Sequence, residues 1–571
     1  MRIGLLTEGG YPYVSGDATL WCDRLVRGLG QHEFDLYALS RTERQESEGW
    51  VPLPPQVSRV RTAPMWTAQD DGTGHGRRAR RRFAECYGEL AAALCAGHTG
   101  DPAGASGKTP AAEADRFGNA LYGLAELARE DGGLVGALRS ETAVRALERA
   151  CRAPGALRAA REARVPDLLA VVAHLERALR PLSLDWYGED DGLGSADLCH
   201  AASGGPATLP GLLARHFHGV PLLVTEYGVR LRTHYLAATD APPAVRALLA
   251  AFHGRLATEI YDRAAVITPG NAHARRWQER CGADRAKLRT VYPGMDAGPF
   301  AEVGESAESS DPDALVWVGR IEPAKDLVSL LHAFTEVRRE QPKARLRIVG
   351  APTGPEGEAY LGHCRALAAQ LFPDEAAGPH AVGDNPVSFE EIGGPELPTL
   401  AEAYAAGGVT VLSSVVEGFP ISLVEAMLCG RATVSTDVGA VVEVIGGTGL
   451  VVPPRNPRAL AEACLALLRD PERRERLGAA ARARALELFT VEQNTTAFHG
   501  IYLEIVSHTP VRRVVLDDTG EPLPFAAPAE AHVPGRWTGP AARVVACGGP
   551  VWATDTPARA RSATPAAEGA R

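Results

Sequence analysis

The stretch Val409-Thr-Val-Leu412 followed by Ser413-Ser-Val-Val-Glu-Gly-Phe-Pro-Ile-Ser-Leu-Val-Glu425 most narrows the folds open to this chain. A short aliphatic and β-branched run fits a parallel strand buried on both faces. The run leads through Gly418 and Pro420 straight into a helical pattern. This predicts a strand-turn-helix unit whose turn lies at the strand's carboxyl end, where open α/β sheets bind ligands. Pro420 suits a first helical turn, and the free amides of that turn favour hydroxyl or phosphate oxygens. Two carboxylates flank the turn, Glu417 before the helix and Glu425 inside it. One can face a reacting group while the other meets a distal part of the same ligand. Taken alone, the segment also fits two solvated glutamates on an ordinary connection.

The same alternation recurs along most of the 571 residues, a length that predicts more than one domain. Arg2-Ile-Gly-Leu-Leu6 reads as a strand, Glu8 to Gly16 as a glycine-bearing loop, and Trp21, Leu25 and Leu29 as one face of a helix. Phe34–Leu39 is the next strand. From about residue 41 to 195 the pattern becomes rich in Ala, Arg, Leu and Glu with helical periodicity, and is read as a mostly helical insertion. Strands resume at Asp197–His200, Pro221–Thr225 and Ala265–Thr268, and the first domain closes near residue 300 after Val291–Asp296. An acidic linker leads to a second domain over 312–490, beginning with Ala314-Leu-Val-Trp-Val318. Asp326 is the expected N-cap of its first helix, with Leu327, Leu330, Leu331, Phe334 and Val337 as the buried stripe. Residues 491–507 are expected to cross back as a helix. The Pro/Ala/Arg-rich remainder, 508–571, reads as a disordered tail.

A second chemical cluster lies in Gly319-Arg-Ile-Glu-Pro-Ala-Lys-Asp326. Here Arg320 and Lys325 stand near a helix start, and two cations with free helix amides suit a diphosphate. In a doubly wound sheet this loop and the Glu417 loop emerge at the same edge, so one ligand could touch both.

Several segments in order now carry a resemblance: the loop ending at Gly16, Pro293-Gly-Met-Asp296, Gly319-Arg320 with Lys325, and Glu417 with Glu425 before Ala426-Met427 and Gly430. With Asp437–Glu443 and Gly449–Pro454, they resemble the retaining, metal-independent glycosyltransferases of the GT-B fold, the group that includes sucrose synthase and bacterial glycogen synthase. The resemblance covers about residues 1–40 and 197–506. It implies two Rossmann-like domains facing a cleft, the first with a helical insertion. Within the group, Glu8–Val14, Trp21 and Thr225-Glu-Tyr-Gly228 look most like the Pel-type exopolysaccharide transferases, which use UDP-glucose.

Carried over residue by residue, the resemblance implies that Arg320 and Lys325 hold the donor diphosphate and that Glu425 bonds the nucleotide ribose. It also places Gly16 and Gly319 among the donor-binding residues. Glu417 meets the donor sugar's hydroxyls, with amides around Phe419, Pro420, Ile421 and Ser422 helping to position it. Departure of a nucleoside diphosphate builds negative charge that preorganised cations and amides stabilise without a metal. Retention then implies front-face attack, with the leaving phosphate taking the acceptor's proton. Two positions depart from the pattern. Asp17 stands where the group usually has glycine, and Tyr227 where it usually has histidine. His200 resembles a histidine that lines the acceptor side.

The expected function is hexosyl transfer from a nucleotide sugar, UDP-glucose by the resemblance, to a carbohydrate or other hydroxyl acceptor in exopolysaccharide synthesis. The rival from another class is a catalytically degraded GT-B scaffold or binding subunit, with Asp17 and Tyr227 as its marks. A GT-B nucleotide-sugar epimerase fits the paired-glutamate turn less well. No cofactor or metal is called for. The formal charge of −10 argues against nucleic acid as a partner. No apolar run approaches the ~20 residues of a spanning helix, and Glu8 comes too early for a signal peptide. A cytoplasmic location is therefore expected, with room for peripheral contact with a membrane export complex. The ten cysteines form no Cys-x-x-Cys pair or His/Cys cluster, so neither a disulfide framework nor structural zinc is expected.

Overall fold

The computed structural model describes the chain except residues 17, 69–71, 97–109, 189–190, 238–239, 307–310, 374–384, 394–396, 398, 510–553 and 558–571. It divides into two units, one comprising Met1–Gly270, Ala274–Val291 and the chain from Thr495 onward, the other Asn271–His273 and Tyr292–Asn494.

In the first unit the strands are β1 (Arg2–Glu8), β2 (Glu33–Ser40), β3 (Val57–Pro64), β4 (Leu198–Ala201), β5 (Leu222–Glu226) and β6 (Val266–Pro269). They pair in parallel in the order β3-β2-β1-β4-β5-β6. The second unit holds β7 (Ala314–Val318), β8 (Arg345–Val349), β9 (Val387–Glu390), β10 (Val409–Leu412), β11 (Ala432–Thr436) and β12 (Leu450–Val452). Its order, β12-β11-β10-β7-β8-β9, is also parallel throughout. Each is the doubly wound order that reverses between its first and fourth strand, β1 and β4 in one sheet, β7 and β10 in the other. Every residue of β4, β5, β6, β7, β10 and β11 is buried, as strands covered by helices on both faces must be.

The helix Leu327–Glu340 shows why these segments fold locally. The Asp326 side chain accepts a hydrogen bond from the Ser329 amide, capping the first turn. Leu327, Leu330, Leu331, Phe334 and Val337 are all fully buried against the sheet. Each such side chain contributes about 1.5–3 kcal/mol of transfer free energy.

Two expectations need correction. The segment 41–195 is not insertion throughout, because β3 joins the sheet beside β2. The helices that follow, among them Arg77–Cys95, Pro110–Asp131 and Val165–Leu179, share one core with the sheet face. Phe83, Tyr87 and Phe117 cluster there with Leu6, Tyr37 and Leu39. Finally, residues 510–553 and 558–571 of the tail lie outside the described residues, but Thr554–Pro557 forms β13, antiparallel to β3 at the sheet edge. The last long helix is Val491–His508, whose Phe498, Ile501, Tyr502 and Ile505 are buried in the first unit's core.

Candidate functional site

In the second unit, the loops leaving β7 and β10 flank the point where strand order reverses. They are laced together. The Val415 amide donates to the Ala324 carbonyl at 2.9 Å, and Ser413 Oγ to the Lys325 carbonyl at 2.7 Å. Lys325 closes a short 3₁₀ turn, and Asp326, next in sequence, adopts φ +48°. A left-handed backbone at a non-glycine residue costs about 1–3 kcal/mol, which the cap to Ser329 and the packed helix beyond it offset.

This turn delivers Lys325 Nζ to Glu417 Oε1 at 2.5 Å, and Ser414 Oγ donates to the same oxygen at 2.7 Å. The two charged side chains keep only 14% and 10% of their surface exposed, so their attraction is far less screened than that of a surface pair. From the other side, the Ala440 amide donates to the Gly418 carbonyl at 3.1 Å. Gly439, at φ +58°, allows this approach: a Cβ there would lie 2.5 Å from the Glu417 carbonyl oxygen. Gly350 likewise stands where a Cβ would lie 1.8 Å from the Gly319 carbonyl oxygen.

Arg320 differs from Lys325. It is exposed and has no hydrogen-bond or ion-pair partner among the described residues. The two cations read together from sequence are therefore in different states, one held by a carboxylate and one open to solvent.

The helix Ile421–Leu428 begins after Pro420, which is buried and lacks an N–H. The Ile421 amide is turned back onto the Phe419 carbonyl at 3.0 Å, so it does not point outward as expected. The Phe419 and Ser422 amides have no hydrogen-bond partner among the described residues. Phe419 packs edge-on to Phe489 at 5.8 Å between ring centres. Glu425 accepts from the fully buried Tyr404 hydroxyl at 2.7 Å; burial, then the Glu425 charge, pushes that hydroxyl's pKa well above its ordinary value.

Sequence reasoning missed Tyr404, Ser414 and Gly439. Ser414 lies in the turn after β10 and Gly439 in the segment Asp437–Glu443, though neither was assigned to the site, whereas Tyr404 carried no sign of where it folds. Among the described residues no group of His, Cys, Asp and Glu could hold a metal ion.

In the first unit, Gly16 has φ +148°, and a Cβ there would lie 2.2 Å from the Gly9 carbonyl oxygen, so the loop after β1 folds tightly on itself. Asp17 lies outside the described residues. His200 does not line an open surface, contrary to expectation. It is fully buried, with Nδ1 2.7 Å from the Tyr502 hydroxyl and Nε2 2.7 Å from Thr225 Oγ1. Burial lowers its pKa to about 3 and keeps it neutral, a core group tying β4 and β5 to the last helix. Tyr227 is half-buried, its ring edge-on to Trp21 at 5.2 Å. Beside it, Glu226 is buried and hydrogen-bonded to the Tyr261 hydroxyl and the Arg230 amide. Burial outweighs these bonds and raises its pKa.

Comparison with known proteins agrees with this architecture. Residues 1–286 match the model of a domain of unknown function (DUF3492), and residues 312–470 match that of Glycosyl transferases group 1. A D-inositol 3-phosphate glycosyltransferase of Kineococcus radiotolerans is 32% identical over 289 residues, covering 47% of this chain and 62% of that protein. The match thus spans less than two thirds of that relative's length. Among solved structures, a sucrose-phosphate synthase from Thermosynechococcus elongatus has a TM-score of 0.52 at 16% identity, covering 89% of this chain and 99% of that one. Anabaena HepE in complex with UDP gives 0.50 at 14% identity, covering 88% and 99%. These two likenesses show the fold, which is GT-B. The chain therefore belongs to the DUF3492 family through its first half and carries a group 1 glycosyltransferase domain in its second.

Proposed function

We propose that this chain is a retaining, metal-independent glycosyltransferase that moves a hexose from a nucleotide sugar to a carbohydrate or other hydroxyl acceptor. The observation that carries the reading is the cluster at the reversal point of the second sheet: the Lys325–Glu417 pair, the open Arg320, and the unpaired Phe419 and Ser422 amides. It lies within the segment matching the group 1 transferases. In this reading the bond from the sugar's anomeric carbon to the diphosphate breaks, and the diphosphate keeps the electron pair. Arg320 and the two amides meet that developing charge. Lys325 contributes from its place on Glu417, whose carboxylate also accepts from the sugar's hydroxyls. Glu425, held by Tyr404, takes the ribose. The acceptor oxygen then bonds to the same face, and its proton passes to the departing phosphate.

The finer part of the reading, glucose from UDP-glucose for an exopolysaccharide, rests on the sequence of the β1 loop, Trp21 and Thr225–Gly228. A panel of nucleotide sugars, screened for slow donor hydrolysis and for transfer, tests it. UDP-glucose is expected to turn over fastest. Arg320→Ala should lower turnover by about 10²-fold, the scale of one lost charge-stabilising donor. Because Arg320 is exposed, its melting temperature should not change. A native chain inert across the panel, made active by Tyr227→His, would instead support a degraded scaffold.

A further inference from the structure

The first sheet has its own reversal point, between β1 and β4, and a pocket of about 350 Å³ opens there. Glu8, the last residue of β1, and Pro206, in the loop after β4, both line it. The helix Val165–Leu179 adds His174 and Arg177, the segment after β5 adds Arg230 and His234, and the helix Pro243–Arg263 adds His253. Open α/β sheets bind ligands at such positions.

The charges are unequal. Arg41, Arg177 and Arg230 face the pocket with a single carboxylate, Glu8, leaving two positive charges in excess. Glu8 keeps 5% of its side-chain surface exposed and is bracketed by Arg230 and by Arg41 at 3.3 Å. Arg177 is exposed and has no partner among the described residues. Loss of hydration first, then neighbouring cations, lower the pKa of His253, which is half-buried, and of His174, which is exposed on its helix, so neither adds to that excess at neutral pH. Two buried polar atoms in this wall, Glu8 Oε2 and His253 Nδ1, have no hydrogen-bond partner among the described residues. Unpaired buried polar atoms are uncommon in folded proteins, and in the wall of a polar pocket they mark where a bound hydroxyl gains most. The close approach of Gly205, whose Cβ would lie 3.0 Å from Glu8 Oε2, leaves no room for a side chain to satisfy that oxygen from within.

We propose that this pocket binds the phosphate monoester of a small polyhydroxylated molecule, with Arg177 and Arg230 on the phosphate and Glu8 accepting from its hydroxyls. A phosphate monoester carries about two negative charges at neutral pH, which match the excess, whereas a carboxylate carries one. A guanidinium presents its donors in a fork that fits such oxygens. All of its lining residues belong to the first unit, and its occupancy does not require sugar transfer.

Calorimetry on the full chain with UDP held at saturation tests this, using glucose 6-phosphate, glucuronate and glucose as probes. Glucose 6-phosphate should bind, glucuronate about tenfold more weakly or worse, and glucose not at all. Arg177→Gln should weaken glucose 6-phosphate binding by about tenfold or more, the scale of one charged hydrogen bond. Arg177→Glu should abolish it, and UDP affinity should not change in either variant. Equal binding to native protein and Arg177→Gln, equal binding of glucose, or loss of the signal when UDP is saturating would each overturn the proposal. Because the readout is equilibrium binding, a chain that transfers no sugar would still give the expected result.

Discussion

The two sheets share a strand order and each sets a carboxylate beside its reversal point, but the carboxylates are held differently. Glu417 shares one oxygen between Lys325 and Ser414, and the nearby Arg320 stands apart in solvent. Glu8 is bracketed by Arg41 and Arg230 and lies in a wall with surplus positive charge. The fold fixes where a ligand can approach, and the loop residues fix its chemistry. In the second unit the free elements are a cation and two amides, suited to charge that develops during a reaction. In the first they suit a ligand already charged.

The largest test of this contrast breaks the Lys325–Glu417 pair. Lys325→Met leaves Glu417 nearly buried without its cation, and Glu417→Gln leaves Lys325 without its anion. Each should cost about 2 kcal/mol, below the range for fully buried pairs because both side chains keep some exposure. The double variant should recover a good part of that loss, since the residues act as one unit. Denaturant unfolding of the full chain measures all three. Strictly additive losses would mean the pair is not coupled and that Lys325 is as open as Arg320.

A smaller effect separates the carboxylates of the first unit by pH. Burial alone would raise the Glu8 pKa, but Arg230 and Arg41 outweigh it and hold it below the ordinary 4.5. A depressed carboxyl stabilises the fold above pH 4.5, and that stability is lost as pH falls through the folded pKa. Glu226 is raised, so its contribution is complete below 4.5 and is lost as pH rises through its folded value. Glu8→Gln should therefore flatten the stability curve below pH 4.5, and Glu226→Gln should flatten it above. Either change is bounded by about 1.4 kcal/mol per pH unit for one proton. Urea midpoints from pH 3.5 to 7 read both slopes, and matching profiles for the two variants would remove the distinction.

Much of this architecture is legible in the sequence because fully buried strands leave apolar runs. Ala314–Val318, Val409–Leu412 and the helix stripe from Leu327 to Val337 follow directly from periodicity. The strand β3 was not legible, since Ser58, Arg59 and Arg61 interrupt its apolar residues and it stands amid helical composition. At the candidate site, residue types and order pointed to the loops. Pairing did not: Lys325 and Glu417 meet across 92 residues, and nothing local tells that Lys325 is held while Arg320 is open. His200 failed for a related reason. A strand-end histidine looks the same in sequence whether it faces solvent or, as here, Tyr502 from 302 residues away.

The smallest expected effect concerns the one strand by which the two sheets differ among the described residues, since the first has β13 at its edge and the second ends on β12 and β9. Four residues of β13 pair with Arg59–Thr62. A four-residue edge strand gains few hydrogen bonds, and the entropy of ordering its own residues opposes them, so the net contribution should be small. Ending the chain at Thr509 should change unfolding free energy by less than about 0.5 kcal/mol, the range of surface changes away from a core. The truncated chain would then present β3 as an edge carrying the half-buried Arg59 and Arg61, whose charges oppose pairing with other chains, as charged edge strands do. Light scattering should find it as dispersed as the full chain. A melting temperature lower by more than about 5 °C, or aggregation, would mean that β13 belongs to the working sheet.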